Sequence, residues 1–313
     1  GLFISCTEEA TINIPKPANK LVVNSVFSPD SIFKIKMLDS KTGNGIDDAK
    51  IKLSYDSNYI RTFKYDNEGI YKIPDFKPAP GNKYTIQINP NNQKKIKLTD
   101  SIPNPVPFSI NKHTDSAGIN EANMNYATID INLKDPSQEK NFYEIFVTSK
   151  IDTAKLLDSD SAYTDTSWSN FINMIKEELN FKIVEVFSYN SIIRSEGFST
   201  EITRWSSQNY LLFNDERIDG KKIQLSINYI PYYSYYESFI AKNRIITLHL
   251  RSISKNYYLY KKSLLAYDQY HSSSNIWKNP SEFVRLYSNI ENGYGLFAGY
   301  SSSVDSIEII RDK

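Results

Sequence analysis

Ala49-Lys50-Ile51-Lys52-Leu53-Ser54-Tyr55 carries an apolar side chain at every second position, with lysine or serine between. A period of two is the mark of a strand with one face buried and the other wet. Upstream, Phe33-Lys34-Ile35-Lys36-Met37 repeats the pattern, and Leu21 to Phe27 opens the series. Downstream, Arg61 to Tyr65 and Ile70 to Ile73 flank Asp66-Asn67-Glu68-Gly69, a hairpin signal. Asn44-Gly45 and Pro80-Gly81 supply further turns, and Lys83 to Ile88 and Lys94 to Leu98 complete the set. About seven short strands at this spacing predict an immunoglobulin-like β-sandwich of about 90 residues, over 20–112. The interleaved lysines at 34, 36, 50, 52, 94, 95 and 97 are solvated residues that discourage edge-to-edge pairing.

Pro103, Pro105 and Pro107 close this unit, and the polar stretch 113–123 reads as a linker. Strand patterns then resume over 124–313. Ala127, Ile129, Ile131 and Leu133 share one face before Asp135-Pro136. Further strands are expected over 142–148, 182–188, 222–229, 245–250, 283–287 and 306–310. Two helices interrupt them. Trp168, Phe171, Ile172, Ile175 and Leu179 form one helical face behind Thr166 or Ser167 as cap, and Tyr257, Tyr260, Leu264 and Tyr267 form another over 256–270. The expected fold is therefore mainly β: a sandwich followed by a larger β-rich domain with about two helices.

Composition supports this class. The 313 residues include 23 Tyr and 16 Phe, types that favour strands. The 37 basic and 36 acidic side chains leave a formal charge of +1, which argues against a nucleic-acid partner. A single cysteine excludes a disulfide scaffold, a Cys-rich zinc site and a thiol redox pair.

That cysteine is placed tellingly. Gly1-Leu2-Phe3-Ile4-Ser5-Cys6 is a short apolar run, a small residue and then Cys. It resembles the end of a lipoprotein signal peptide, with Cys6 as the lipidation site. Two or more acyl chains on one residue hold a protein stably to a bilayer. Residues 1–19 thus read as leader remnant, acylation site and tether, the tether reaching on the order of 40 Å at about 3.3 Å per residue.

Local catalytic patterns fail on inspection. Gly293-x-Gly295-x-x-x-Gly299 has its third glycine one place late for a dinucleotide loop and leads into a strand, so it reads as close backbone approach. Asp158, Asp160 and Asp165 lack the glycine and terminal acid of an EF-hand loop. His113, His249 and His271 have no zinc spacing. No cofactor and no enzymatic activity are expected. The most unusual segment runs from Tyr229 to Phe239 around Pro231. Tyr232, Tyr233, Tyr235 and Tyr236 are its candidate partner or ligand contacts.

Asn289-Ile290-Glu291-Asn292-Gly293-Tyr294-Gly295-Leu296-Phe297-Ala298-Gly299 resembles the closing motif of a Bacteroidota lipoprotein family, domain of unknown function 4249. Four more segments are similar to that family: Lys20 to Val23, Asp135-Pro136 with Asn141-Phe142-Tyr143, Asn214 to Lys221, and Ser252 to Tyr258. Phe142 stands where Tyr is usual, and Ala298 where Gly is. The resemblance implies a surface-exposed lipoprotein of the outer membrane, accessory to a TonB-dependent transporter. In such lipoproteins acidic residues behind the cysteine, here Glu8 and Glu9, resemble the signal for export to the cell surface. A structural subunit of another outer-membrane assembly or secretion complex is the alternative. A surface hydrolase with a spatially assembled carboxylate pair is a third reading.

Overall fold

The computed structural model describes residues 19–55, 58–91, 94–121, 123–151, 182–194, 209–231, 243–272 and 285–310. Strands dominate, as the alternating patterns require. The first eight are β1 (Leu21–Phe27), β2 (Phe33–Asp39), β3 (Lys50–Tyr55), β4 (Asn58–Thr62), β5 (Lys64–Tyr65), β6 (Ile70–Ile73), β7 (Lys83–Asn89) and β8 (Ile96–Ser101). They form two sheets, one containing β1-β2-β6-β5 and the other ordered β4-β3-β7-β8. Between them Ile35, Met37, Ile51, Leu53, Ile86 and Ile88 are fully buried, while Lys34, Lys36, Lys50 and Lys52 are exposed. The period-two reading is thus met face by face.

The second unit contains β9 (Phe108–Ile119), β10 (Asn125–Lys134), β11 (Phe142–Ile151), β12 (Lys182–Ile183), β13 (Val186–Phe187), α1 (Ser191–Arg194), β14 (Leu211–Asn214), β15 (Lys222–Tyr229), β16 (Asn243–Ile253), α2 (Lys255–Ser272) and β17 (Tyr294–Ile310). The order β13-β15-β10-β9 makes one sheet. The other is part of a nine-stranded sheet, β12-β11-β16-β17-β1-β2-β6-β5, with β14 also on β11. One continuous sheet therefore serves both sandwiches, and β17 is the strand that passes between them. Its later residues pair with β16, from Tyr300↔Ile253 to Ile310↔Asn243. Its first residues pair in parallel with β1, from Val22↔Tyr294 to Phe27↔Gly299. Phe297 sits among Phe27 and Phe33 in the small core, whereas Leu296 and Ala298 belong to the large one.

The glycines of the closing motif make this crossing possible. Gly295 has φ +108°, and a Cβ there would collide with Val23 O on β1. A Cβ at Gly299 would collide with Ser101 O at the end of β8. Close backbone approach, expected from the glycine spacing, is what the structure shows. Asn289 completes the lock. Phe297 N donates to its Oδ1 at 2.9 Å, and its Nδ2 donates to Phe297 O at 2.7 Å. The side-chain amide stands in for a strand residue.

Several expectations need correction. Residues 113–119, read as linker, are the body of β9. Two of their polar residues have buried or half-buried polar partners: Nη2 of the buried Arg244 donates to both carboxylate oxygens of Asp115, at 2.9 and 3.0 Å, and His113 Nε2 lies 2.9 Å from Tyr229 Oη. The start of β17 joins the smaller unit instead of staying within 124–313. Of the strand expected over 283–287, residues 283–284 lie outside the described residues and Arg285–Tyr287 are not strand, Tyr287 N donating to Ser263 Oγ. The helix expected over Trp168–Leu179 also lies outside the described residues. α2 is present, but its buried face is Tyr257, Tyr258 and Leu265, and Tyr267 is exposed.

Asn289→Ala would leave Phe297 N–H and C=O without these partners. At about 1–3 kcal/mol per orphaned group, a loss of about 2 kcal/mol or more is expected, read as a lower urea midpoint at unchanged slope. An unchanged midpoint would show that β17 is held without it.

Candidate functional site

The segments that carry the family resemblance lie far apart in sequence, and the fold brings them together at two joints. The first is the β1–β17 crossing. The second is a corner where the loop after β10 meets the loop after β14, beside the start of α2.

This corner is built from backbone-directed carboxylates. Pro136 cannot extend the ladder, so the chain turns at Asp135. Asp135 accepts hydrogen bonds from Tyr143 Oη and, at 3.0 Å, from Gly220 N. Asp215 Oδ2 accepts from Asn141 N at 2.6 Å, and Asp219 Oδ1 from Gln138 N at 3.2 Å. Gly220 supplies the left-handed turn (φ +68°) that points its amide inward. Oxygens of Asp135, Asp215 and Asp219 lie within 4.8 Å of one another. In composition that is a ligand set for a hard cation. Each of the three carboxylates, however, already accepts from protein N–H or O–H groups, so the cluster acts as a clasp between two loops. Burial raises the pKa of Asp135 against the opposing effect of the Tyr143 bond, and it raises that of Tyr143 as well.

Against this clasp opens a cleft of about 370 Å³. Its lining includes Phe142 and Tyr258, whose rings meet at 4.7 Å, and the basic residues Lys140, Arg217, Lys255 and Lys262. Glu216 is the one acidic residue of the lining and pairs with Lys140 at 3.1 Å. Lys140 and Lys262 lie over the Phe142 and Tyr258 rings at 5.9 and 5.7 Å.

Beneath α2 lies a buried charge centre. Glu144 on β11 is 1% exposed and binds Arg251 at 3.0 Å and Lys261 at 2.7 Å. Arg251 is clamped between the rings of Phe146 and Tyr300, each 4.5 Å away, and Lys261 lies 3.9 Å over Tyr210. Burial works most strongly against the Arg251 charge, but Glu144, Tyr257 and Tyr300 together hold the guanidinium above its ordinary range. These groups orient α2 on the sheet. Ser254 caps the helix, accepting from Tyr257 N at 3.2 Å, and donates to Asp100 Oδ2 at 2.7 Å. Asp100 is the last residue but one of β8, so this bond ties the helix of one unit to the sandwich of the other. Burial pushes its carboxyl up to about 6, against the hydrogen bonds it accepts.

The residues singled out by sequence fall differently. Cys6, Glu8, Glu9, Tyr232, Tyr233, Tyr235 and Tyr236 lie outside the described residues, as do Asp158, Asp160 and Asp165. His113 and His249 are half-buried and partnered, His249 stacking on Phe146 at 4.4 Å. Burial lowers the pKa of both. Sequence patterns gave no notice of the cleft, because its cations come from three separated segments. The recurrence of those segments in the resemblance was the available signal.

Two sandwiches sharing one sheet, with a basic cleft at a loop joint, define a mainly β protein with a helix laid across the larger sheet. The chain belongs to the family described as domain of unknown function DUF4249, whose model matches residues 7–306. No curated protein matches it. Among solved structures it is similar to a supposed membrane-anchored protein of Corynebacterium diphtheriae, at 10% identity and TM-score 0.22, covering 76% of this chain and 55% of that one. It is similar also to trypsin-activated α2-macroglobulin of Escherichia coli, at 10% identity and TM-score 0.20, covering 76% of this chain. The Salmonella α2-macroglobulin reacted with methylamine gives 12% identity and TM-score 0.20, with 79% of this chain covered. The chain spans 15% and 14% of these two macroglobulins.

The Asp100 joint predicts a pH dependence. In the unfolded chain this carboxyl titrates near 3.8, and in the fold near 6. Between those values the folded protein holds a proton that the unfolded chain has released, so this group's contribution to stability falls as pH rises from about 4 to 6. The full loss is on the order of 3 kcal/mol. Asp100→Asn should therefore gain stability relative to the parent between pH 4 and pH 7, measured by urea unfolding. Parallel curves would refute this.

Proposed function

We propose that the protein is a lipid-anchored, surface-exposed subunit of the outer membrane that assists a TonB-dependent transporter by contact, without bond chemistry of its own. The observation that carries this reading is Cys6, the only cysteine of the chain, directly behind an apolar run and a small residue. Acylation there supplies two or more chains, enough for stable residence at a bilayer. Among the described residues no helix is long and apolar enough to cross a membrane. Family membership supports the reading through the lipoproteins that the closing motif resembles.

The strand layout supports a division of ends. The chain enters β1 with Val22 beside Tyr294, at the start of β17. Asn243, the residue that opens β16 after the tyrosine segment, pairs with Ile310 at the other end of the same strand. At about 3.3 Å per residue, β17 puts on the order of 50 Å between these points. The described chain thus begins beside one end of β17 and resumes at Asn243 beside the other.

Cys6→Ala should move the protein from the membrane fraction to the soluble one. A variant that stays membrane-bound would refute the anchor. Replacing the four tyrosines with serine should weaken recovery of the companion barrel at least tenfold in mild-detergent pull-downs, with the unfolding midpoint unchanged. Undiminished recovery would remove those rings from the interface. If an assembly or secretion machine is recovered in place of a transporter, the protein belongs to that complex instead.

A further inference from the structure

We infer that the cleft between the Asp135–Asn141 loop, the Asn214–Lys221 loop and the start of α2 binds a phosphate-bearing ligand. Lys140, Arg217, Lys255 and Lys262 line it against the single carboxylate of Glu216. Of the charged side chains that line the cleft four are cationic and one is anionic, and the clasp carboxylates of Asp135, Asp215 and Asp219 accept from protein N–H and O–H groups. Like charges gathered in one concavity repel one another and raise the local concentration of anions. Glu216 pairs with Lys140 at 3.1 Å, both side chains being exposed. Arg217 and Lys255 have no carboxylate within salt-bridge distance among the described residues.

The cations are held by built supports. Asp215 and Asp219 tie the loop bearing Arg217 to the loop bearing Lys140. Lys255 and Lys262 stand two turns apart on α2, whose seat is fixed by the Ser254 cap and by Glu144 through Lys261. Lys255 is the first residue of this 18-residue helix, and no acidic residue occupies its first turn. The positive end of the helix dipole therefore adds to the same field. Phosphate fits these donors: arginine forms paired hydrogen bonds with it, and lysine meets it as a point charge. The same phosphate chemistry could arrive on a soluble molecule or on a lipid headgroup.

The test uses the full chain carrying Cys6→Ala, so that acyl chains do not themselves bind lipid. One arm titrates inorganic pyrophosphate by calorimetry. The other measures sedimentation with phosphatidylcholine vesicles, with and without phosphatidylglycerol. Saturable binding in the first arm alone assigns a soluble phosphorylated ligand. Binding to phosphatidylglycerol vesicles alone, or in both arms, assigns a headgroup. In either case Arg217→Glu with Lys255→Glu should weaken binding at least tenfold with its unfolding midpoint unchanged. Lys34→Glu with Lys36→Glu, an equal charge change on the exposed face of β2, should leave binding within twofold. Absence of saturable binding in both arms, or equal weakening by the two double variants, would overturn the inference.

Discussion

The parallel pairing of β1 with the first residues of β17 is the constraint on which the rest depends. Without it the nine-stranded sheet would part into two, with β1 and β17 as open edges. The pairing demands a close approach that side chains would block, hence Gly295 and Gly299. It also leaves the opposite edge of β17 open where β16 ends, hence Asn289. The motif that marks the family is thereby accounted for by packing and hydrogen bonding, without appeal to a ligand.

Buried polar groups play the same part at other joints. The Asp135 clasp fixes two loops, the Glu144 centre seats α2, and Asp100 ties that helix to the other sandwich. Each removes charge or dipole from water, and each is matched by donors at short range, the condition under which burial is tolerated. The joints are therefore specific in a way that apolar contact alone is not. They also set the basic residues of the cleft on three rigid supports.

Much of the fold was legible because its strands alternate. β2, β3, β10 and β15 bury every second residue against one core, and the period is visible without a structure. β9 was not legible, since Asp115 turns inward to Arg244 and His113 to Tyr229, and a polar residue facing a polar partner looks like a loop. β14 is four residues with Leu211, Leu212 and Phe213 all buried, too short to show a period. On α2, Lys261 takes a place on the covered side because Glu144 waits there, so Tyr267 was assigned to the wrong face. The parallel partner of β1 could not be read at all, for it lies at the far end of the chain. The same holds for the cleft, whose segments were each noticed but whose meeting is a property of the fold.

β17 follows every other described strand in the chain, yet its first residues extend a sheet of the first sandwich. The edge of β1 cannot be paired before β17 has been made, and this contact has the long sequence separation that slows folding. A nascent chain of this design keeps that edge open until β17 emerges.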